Sequence, residues 1–351
     1  MEFGVAFPSK IGDFKLVELA ESLGFDQAWF FDSQMIYSDV YATMALAAHK
    51  TKKIKLATGV AVPSTRLAPV IAHSIATIAT LAPDRVELGL GNGNTARLTM
   101  GLPPLKLDTL KKEIETIKLL LEGKEATHFY EGREIPIKLL HPNSGFINVK
   151  DKIPITLSAF GPKTLRYCGQ SCDAHLTWAI SPDQLKSNRE IIESASMTEG
   201  KGKNKVPTKG IFPLCILEPG ENIQSKRVLE AVGPFVTNLL HVLCEWEDNL
   251  LPASPEINSL VLDYREFTKS FPLNKRHQIL HEGHLIYVRP DEKEFVTPEI
   301  AKEAAMIGEP EEIMERLRIL EKNGLSHFAF QITCEPEKQI KTFAKEIIKK
   351  Y

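Results

Sequence analysis

The chain has 351 residues, more than a typical single domain but within the span of one α/β barrel with insertions. Hydrophobic residues make up 43% and charged residues 25%, ordinary globular values that permit one large core. A formal net charge of −2 excludes the basic face that neutralising phosphates requires, so no nucleic-acid partner is expected.

In chain order, apolar stretches of strand length alternate with helical patterns, the signal of βαβ units around a parallel sheet. The opening Met1–Phe7 lacks a basic n-region and a long apolar h-region, so it reads as a strand, Glu2–Phe7, and not as a leader. Asp13–Leu23 follows as a helix, with apolar residues at 16, 17, 19, 20 and 23 and Gly24 as its stop. Asp26–Asp32 is a second strand ending in a carboxylate, Val40–His49 a helix, and Ile54–Val60 a third strand. Pro69 opens the next helix, where a missing N–H is harmless, and that helix runs to Leu81. Arg85–Leu90 is strand four, followed by the glycine-rich loop Gly89–Gly93 and a helix over Leu107–Leu121.

Residues 124–152 break the rhythm with a small hairpin turning at Phe129–Arg133. The alternation resumes with strand Pro154–Ser158, helix Pro162–Ser171, strand Asp173–Trp178 and a helix from Ser181-Pro182. A polar loop, Lys201–Lys209, leads to strand Gly210–Leu217. Residues 221–297 are a long, partly helical interruption carrying Phe235, Trp246, Tyr264, Phe267 and Phe271. Helix Glu311–Lys322, strand Leu325–Ile332 and helix Pro336–Lys350 follow.

Eight strand–helix repeats without a linker rich in Pro, Ser or Gly predict a single (β/α)₈ TIM barrel over residues 1–351, with insertions at 124–152 and 221–297. A doubly wound open sheet competes, but the count of eight and the buried character of the first and last strands favour closure. No run of about 18 apolar residues is present, so no membrane span is expected. With neither a leader pattern nor a span, a cytoplasmic protein is expected, and five cysteines, an odd number, suggest no disulfide framework.

In such a barrel the site lies at the C-terminal ends of the strands. Those ends carry Phe7 and Pro8, Asp32 and Ser33, Gly59 and Val60, Gly91–Asn94, Ser158–Gly161, His175–Trp178, and Gln331 with Thr333. The set is polar but nearly uncharged, with Asp32 and His175 its ionisable members. No Ser-His-Asp set, metal-spaced histidine cluster or strand-end lysine is evident, which argues against hydrolysis, metal-assisted and aldol chemistry. It fits a site where a bound cofactor does the hard chemistry.

Gly89-Leu90-Gly91-Asn92-Gly93-Asn94 matches a dinucleotide fingerprint only in its looser form, counted from Gly91 to Ala96, and lacks the acidic residue expected about 20 positions on. Two readings stay open: a backbone that closely approaches a planar or phosphorylated ligand, or a tight strand–helix turn. Asp32 is either a helix cap or a ligand-binding carboxylate. His281 and His284 are tempting as a metal pair, but without partners they read as loop packing, and His73 as structural.

The segment Thr58-Gly59-Val60-x₂-Pro63-x₂-Arg66-x₂-Pro69, then Ala76-Thr77, then Asp84-Arg85-Val86-x-Leu88-Gly89-x-Gly91-x-Gly93, resembles the luciferase-like superfamily, and most of all its branch using the deazaflavin coenzyme F420. Ser158-Ala159-Phe160-Gly161-Pro162, the Asp173 strand, Gly308-x-Pro310-x-Glu312 and Gly324-Leu325-x-His327 extend the likeness from end to end, most weakly over 221–297. The resemblance implies a bulge at Gly59–Val60, with a non-prolyl cis peptide, against the back of the ring system. It implies that Asp32 contacts the pyrimidine side, and that Asn92, Gly93 and Asn94 with Ser158, Ala159, Phe160 and Gly161 hold the ring edge, ribityl chain or phosphate. Where the sugar-phosphate dehydrogenases of that branch have a histidine, a tryptophan and a glutamate, this chain has Ser33, Tyr37 and Asn94, and Glu303 replaces a phosphate-binding arginine. Glucose-6-phosphate is therefore not the expected substrate, and Tyr37, Ser33 or His175 would have to manage any proton.

The expected function is F420-dependent hydride transfer to or from a small organic substrate, in an apolar site roofed by the 221–297 insertion. An FMN-dependent monooxygenase and a non-catalytic flavin-binding barrel are the alternatives. No metal is expected. A homodimer is implied by the resemblance, with the apolar helices around Val40–Ala48 and Ile71–Leu81 in view.

Overall fold

A computed structural model describes residues 1–178, 181–200, 202, 206–244 and 254–351. Eight parallel strands close into a barrel: β1 (Glu2–Phe7), β2 (Gln27–Phe30), β3 (Lys55–Thr58), β4 (Val86–Leu90), then, after the hairpin β5 (Ala126–Tyr130) and β6 (Arg133–Ile137), β7 (Ile155–Ser158), β8 (Ala174–Thr177), β9 (Thr208–Ile216) and, beyond a short β10 (Met306–Gly308), β11 (Leu325–Gln331). Closure runs through β8 on β9, with His175 opposite Thr208, and through β11 on β1, with Gln331 opposite Ala6. The barrel expected from the sequence is therefore present.

These strands are buried on both faces, which is why they read as near-continuous apolar runs. On β1, Phe3, Val5 and Phe7 point to the helices, while Ala6 points inward. The helices that cover the barrel are α1 (Phe14–Ser22), α2 (Val40–Lys50), α3 (Ala68–Leu81), the short α4 (Asn94–Leu98), α5 (Leu107–Leu121), α6 (Pro162–Ser171) and α7 (Pro182–Thr198). Helix α5 shows the logic: Leu110, Ile114, Ile117 and Leu121 recur at helical spacing and are buried, while Asp108, Lys112 and Glu115 are exposed. Each such side chain contributes about 1.5–3 kcal/mol of burial.

The insertion builds a core of its own. Helices α8 (Lys226–Cys244), α9 (Pro255–Lys269), α10 (Arg276–His281) and α11 (Pro298–Ala304) precede α12 (Pro310–Lys322) and α13 (Pro336–Phe343), which return to the barrel. Val232, Val236, Leu240, Val261, Tyr264 and Ile300 pack together. Helix α8 is long and apolar enough to cross a membrane, but more than half of its apolar window is buried and it serves this core.

Two expectations change here. Tyr264 and Phe267 do not roof the site but stack with Phe295 inside the second core. Trp246 lies outside the described residues, as do 201 and 203–205 of the expected polar loop. Strand β9 starts at Thr208 rather than Gly210, because Lys209 is not loop but barrel interior, its ammonium 2.6 Å from Glu87 Oε2.

Candidate active site

Inward-facing side chains alternate along each strand, and their sizes shape the barrel mouth. Trp29 of β2 is fully buried among Ala6, Ala57, Leu176 and Ala329, small neighbours that make room for its indole. The ring nitrogen donates to His327 Nε2 at 3.0 Å. A Cβ on Gly59 would lie 3.3 Å from Trp29 Cβ and 3.4 Å from Ile211 Cδ1, so the end of β3 rests on an indole and isoleucine floor. The Gly59–Val60 peptide is cis, as the resemblance implied.

The glycine-rich loop is tied to that bulge. A Cβ on Gly89 would strike the Thr58 carbonyl, and one on Gly91 would come 2.6 Å from Val60 Cγ2 and 3.6 Å from Ser158 Cβ. Ala61 N donates to Gly89 O at 2.8 Å, and Gly91 N to Ala61 O at 3.1 Å. Glycine at these two positions is thus first a demand of packing between β3 and β4. The consequence is an uncharged patch at the barrel mouth, the cup, where Val60 packs directly on Gly91 with Ser158 beside them. Gly93 sits at φ 81° and opens α4, with Asn92 and Asn94 exposed on either side of it. Across the barrel, Gln331 at the tip of β11 is 5% exposed and its Nε2 has no partner.

Asp32 is not the helix cap. Asp39 caps α2, accepting from Ala42 N at 2.9 Å. Asp32 accepts from Arg66 Nη1 at 2.8 and 2.6 Å and from Gln34 Nε2 at 2.6 Å. Burial pushes its carboxyl above the ordinary range against the pull of Arg66. With about four lone-pair sites on a carboxylate, Asp32 keeps room for a single further donor. Arg66 escaped the sequence reading although it stood in the quoted motif; the signal was an acidic residue ending an apolar strand, which needs a cation once buried.

Tyr37 lies over the mouth, with its ring 6.2 Å from that of Phe31. Its hydroxyl donates to His284 O at 3.2 Å, and burial holds it well above its usual pKa, so it stays protonated. Ser33 is half-buried, and its carbonyl accepts from Tyr37 N at 3.1 Å. His284 is packed in the roof as expected, yet not idly: its Nε2 lies 3.3 Å from Thr95 Oγ1, and Nδ1 has no partner. Among the described residues no cluster suits a metal.

His175 is placed elsewhere. It pairs with Leu157 on β7, a residue of the helix-facing core, while the next pair, Ser158 with Leu176, faces inward. Its ring therefore points away from the cup, bonded to Thr208 Oγ1 at 3.3 Å and Ala159 O at 2.9 Å. Burial depresses it to about 4, leaving a neutral side chain that steadies the turn at Ala159 instead of carrying a proton. Phe160 and Gly161 lie on the exposed rim, and Phe160 meets Trp178 with ring centroids 5.0 Å apart.

A cavity of about 590 Å³ opens on the outer flank of β9 and β11, among Leu214, Phe330 and Phe343. Its edge charges are spent on each other, with Lys338 2.8 Å and Arg227 3.9 Å from Glu218. It reaches the tip of β9 at Ile216 and the loops after β9, β10 and β11 at Pro219, Glu309 and Cys334, but on the helix-facing side with Phe330, whereas the cup lies on the inward side with Val60 and remains the candidate.

The luciferase-like monooxygenase family model matches residues 13–327. The chain belongs to that family. This luciferase-like protein is 25% identical to the 5,10-methylenetetrahydromethanopterin reductase of Archaeoglobus fulgidus over 360 residues, covering 100% of this chain and 99% of the relative. It is 30% identical over 224 residues to the F420-dependent glucose-6-phosphate dehydrogenase of Kineococcus radiotolerans, covering 58% and 64% of the two chains. The solved coenzyme F420 dependent tetrahydromethanopterin reductase of Methanopyrus kandleri superposes with a TM-score of 0.72 at 22% identity, over 100% of this chain and 99% of that one. Family membership makes this luciferase-like barrel an oxidoreductase.

Proposed function

We propose that the protein binds coenzyme F420 over the cup and transfers a hydride between it and a small organic substrate. The observation that carries this reading is the uncharged mouth of Val60, Gly91 and Ser158, where Val60 packs so closely on Gly91 that a Cβ there would come within 2.6 Å of it. A flat ring system suits such a mouth, and Gln331 Nε2 offers an unspent donor across the barrel from it. When bound, the deazaflavin supplies the carbon that exchanges the hydride. Val60 would support the ring, Asn92–Asn94 and Ser158–Gly161 would hold its edge and tail, and Asp32, braced by Arg66, would take one ring donor. The buried floor at Trp29 keeps water from that side. With His175 turned away, Tyr37 and Ser33 remain to hold a substrate hydroxyl.

An FMN-dependent monooxygenase is the second reading, supported by the family's own description. Titrating the purified protein with each cofactor separates the two, since F420 absorbs near roughly 420 nm and FMN near roughly 450 nm. Saturable binding of F420 is expected; binding of FMN alone would overturn the proposal. Binding without turnover for any donor–acceptor pair would leave a flavin-binding barrel and remove the hydride step. A homodimer belongs to the same proposal, supported by Leu46, Val70 and Leu81 exposed on α2 and α3. So does the cytoplasmic location expected from the sequence.

A further inference from the structure

We propose that Leu285, carried into the barrel mouth by a fastened turn of the insertion, sets the size of the substrate that the cup accepts; this rests on the hydride-transfer reading above. Among the described residues of 221–297, Leu285 is the one side chain packed on the inward cluster of Ala6, Trp29, Phe31, Ala57, Leu176 and Ala329. Val60, Tyr37 and Ile211 pack on the same cluster, so Leu285 shares the space that a ligand on the Val60 ledge faces.

The chain goes to some length to put it there. Leu285 sits at φ 59°, a left-handed conformation rare for a bulky side chain. The turn is closed by Ile286 N and Tyr287 N donating to Gly283 O at 2.8 and 3.0 Å. At Gly283, φ is 77°, and a Cβ would come 2.6 Å from Tyr287 O, so only glycine fits. Two bonds then pin the turn to the barrel: Tyr37 hydroxyl to His284 O, and Thr95 Oγ1 with His284 Nε2. These come from the loops after β2 and β4, on opposite sides of Gly59–Val60. A loop that merely covered the mouth would need neither the left-handed residue nor two anchors. Leucine held there fills volume with apolar surface, so the substrate part lying beside it should be small and apolar.

The test measures binding rather than turnover, using acetone and cyclohexanone as probes in ligand-observed NMR. Wild type is compared with Leu285→Ala, Leu285→Phe and, as a control on the same insertion, Leu273→Ala, whose side chain is 80% exposed. A buried methylene is worth about fourfold in binding, so Leu285→Ala should favour cyclohexanone over acetone by at least about tenfold more than wild type. Leu285→Phe should shift the ratio the other way, which keeps the test alive if the alanine variant folds poorly. Leu273→Ala should match wild type. An unchanged ratio in both Leu285 variants overturns the inference. The ratio is read with and without F420, whose affinity is followed by fluorescence. A shifted ratio in a protein that binds no F420 supports the gate and removes the cofactor reading. F420 binding with an unshifted ratio sinks the gate alone.

Discussion

The two ends of the barrel interior are built on opposite rules. At the end where the strands begin, Glu87 accepts from Lys209 at 2.6 Å, from Gln27 Nε2 at 2.8 Å and from the Thr156 hydroxyl, while Lys209 also reaches Gln27 Oε1 at 3.3 Å. Its ammonium further lies 5.5 Å from the Trp29 ring. At the end where the strands finish, Gln331 Nε2, Gln34 Oε1 and His284 Nδ1 have no partner. The first end only has to fill a lumen, so its polar groups find each other, apart from His327 Nδ1, which lies 3.8 Å from Glu2 Oε2. The second is left with unspent donors and acceptors around an apolar floor, which suits a surface completed by a ligand.

The sharpest way to break this contrast is Lys209→Met, which strands the Glu87 carboxylate in the lumen. Removing one partner of a buried pair costs about 3–5 kcal/mol, read by urea unfolding, and replacing Glu87 with methionine as well should restore much of it. F420 affinity of the folded protein should hold, because the cup is at the other end. An affinity loss without a stability loss would erase the distinction.

His175 sharpens the contrast, being a group near the cup whose nitrogens are both engaged. Its folded pKa of about 4 lies below the ordinary 6.5, so the unfolded chain binds its proton first as pH falls. Stability from this group is therefore complete above 6.5 and lost as pH falls toward 4, with a slope near 1.4 kcal/mol per pH unit. His175→Gln should flatten the acid limb of the stability profile by one proton's worth; an unchanged slope would mean the ring is not buried neutral.

The smallest effect on stability belongs to the cup itself. Gly91→Ala forces Val60 aside, an overpacking of about 1–3 kcal/mol that falls on the cup. F420 affinity should drop roughly tenfold or more while the melting temperature falls by only about 1–4 °C. Melting with affinity intact would assign Gly91 to folding alone.

The barrel was legible because strands buried on both faces write themselves as apolar runs, and because Gly24 and Pro69 mark helix ends by backbone chemistry. The tips of the strands were legible for the same reason, and they contain the cup. Which way a tip residue faces was not: His175 is one position from the inward Leu176, and only register fixes that parity. Lys209 was hidden because a charged residue inside a barrel looks like a loop until its partner, Glu87, is seen across the lumen. Leu285 had no signal at all, since its meaning comes from where a turn of the insertion lands.

Crystals of the protein soaked with F420 test the central claim most directly. The account predicts the tricyclic ring lying against Val60, between Gly91, Ser158 and Gln331, with its tail toward Gly161. Density for the ring in the flank cavity beside Phe330 and Phe343, with the cup empty of it, would contradict the account.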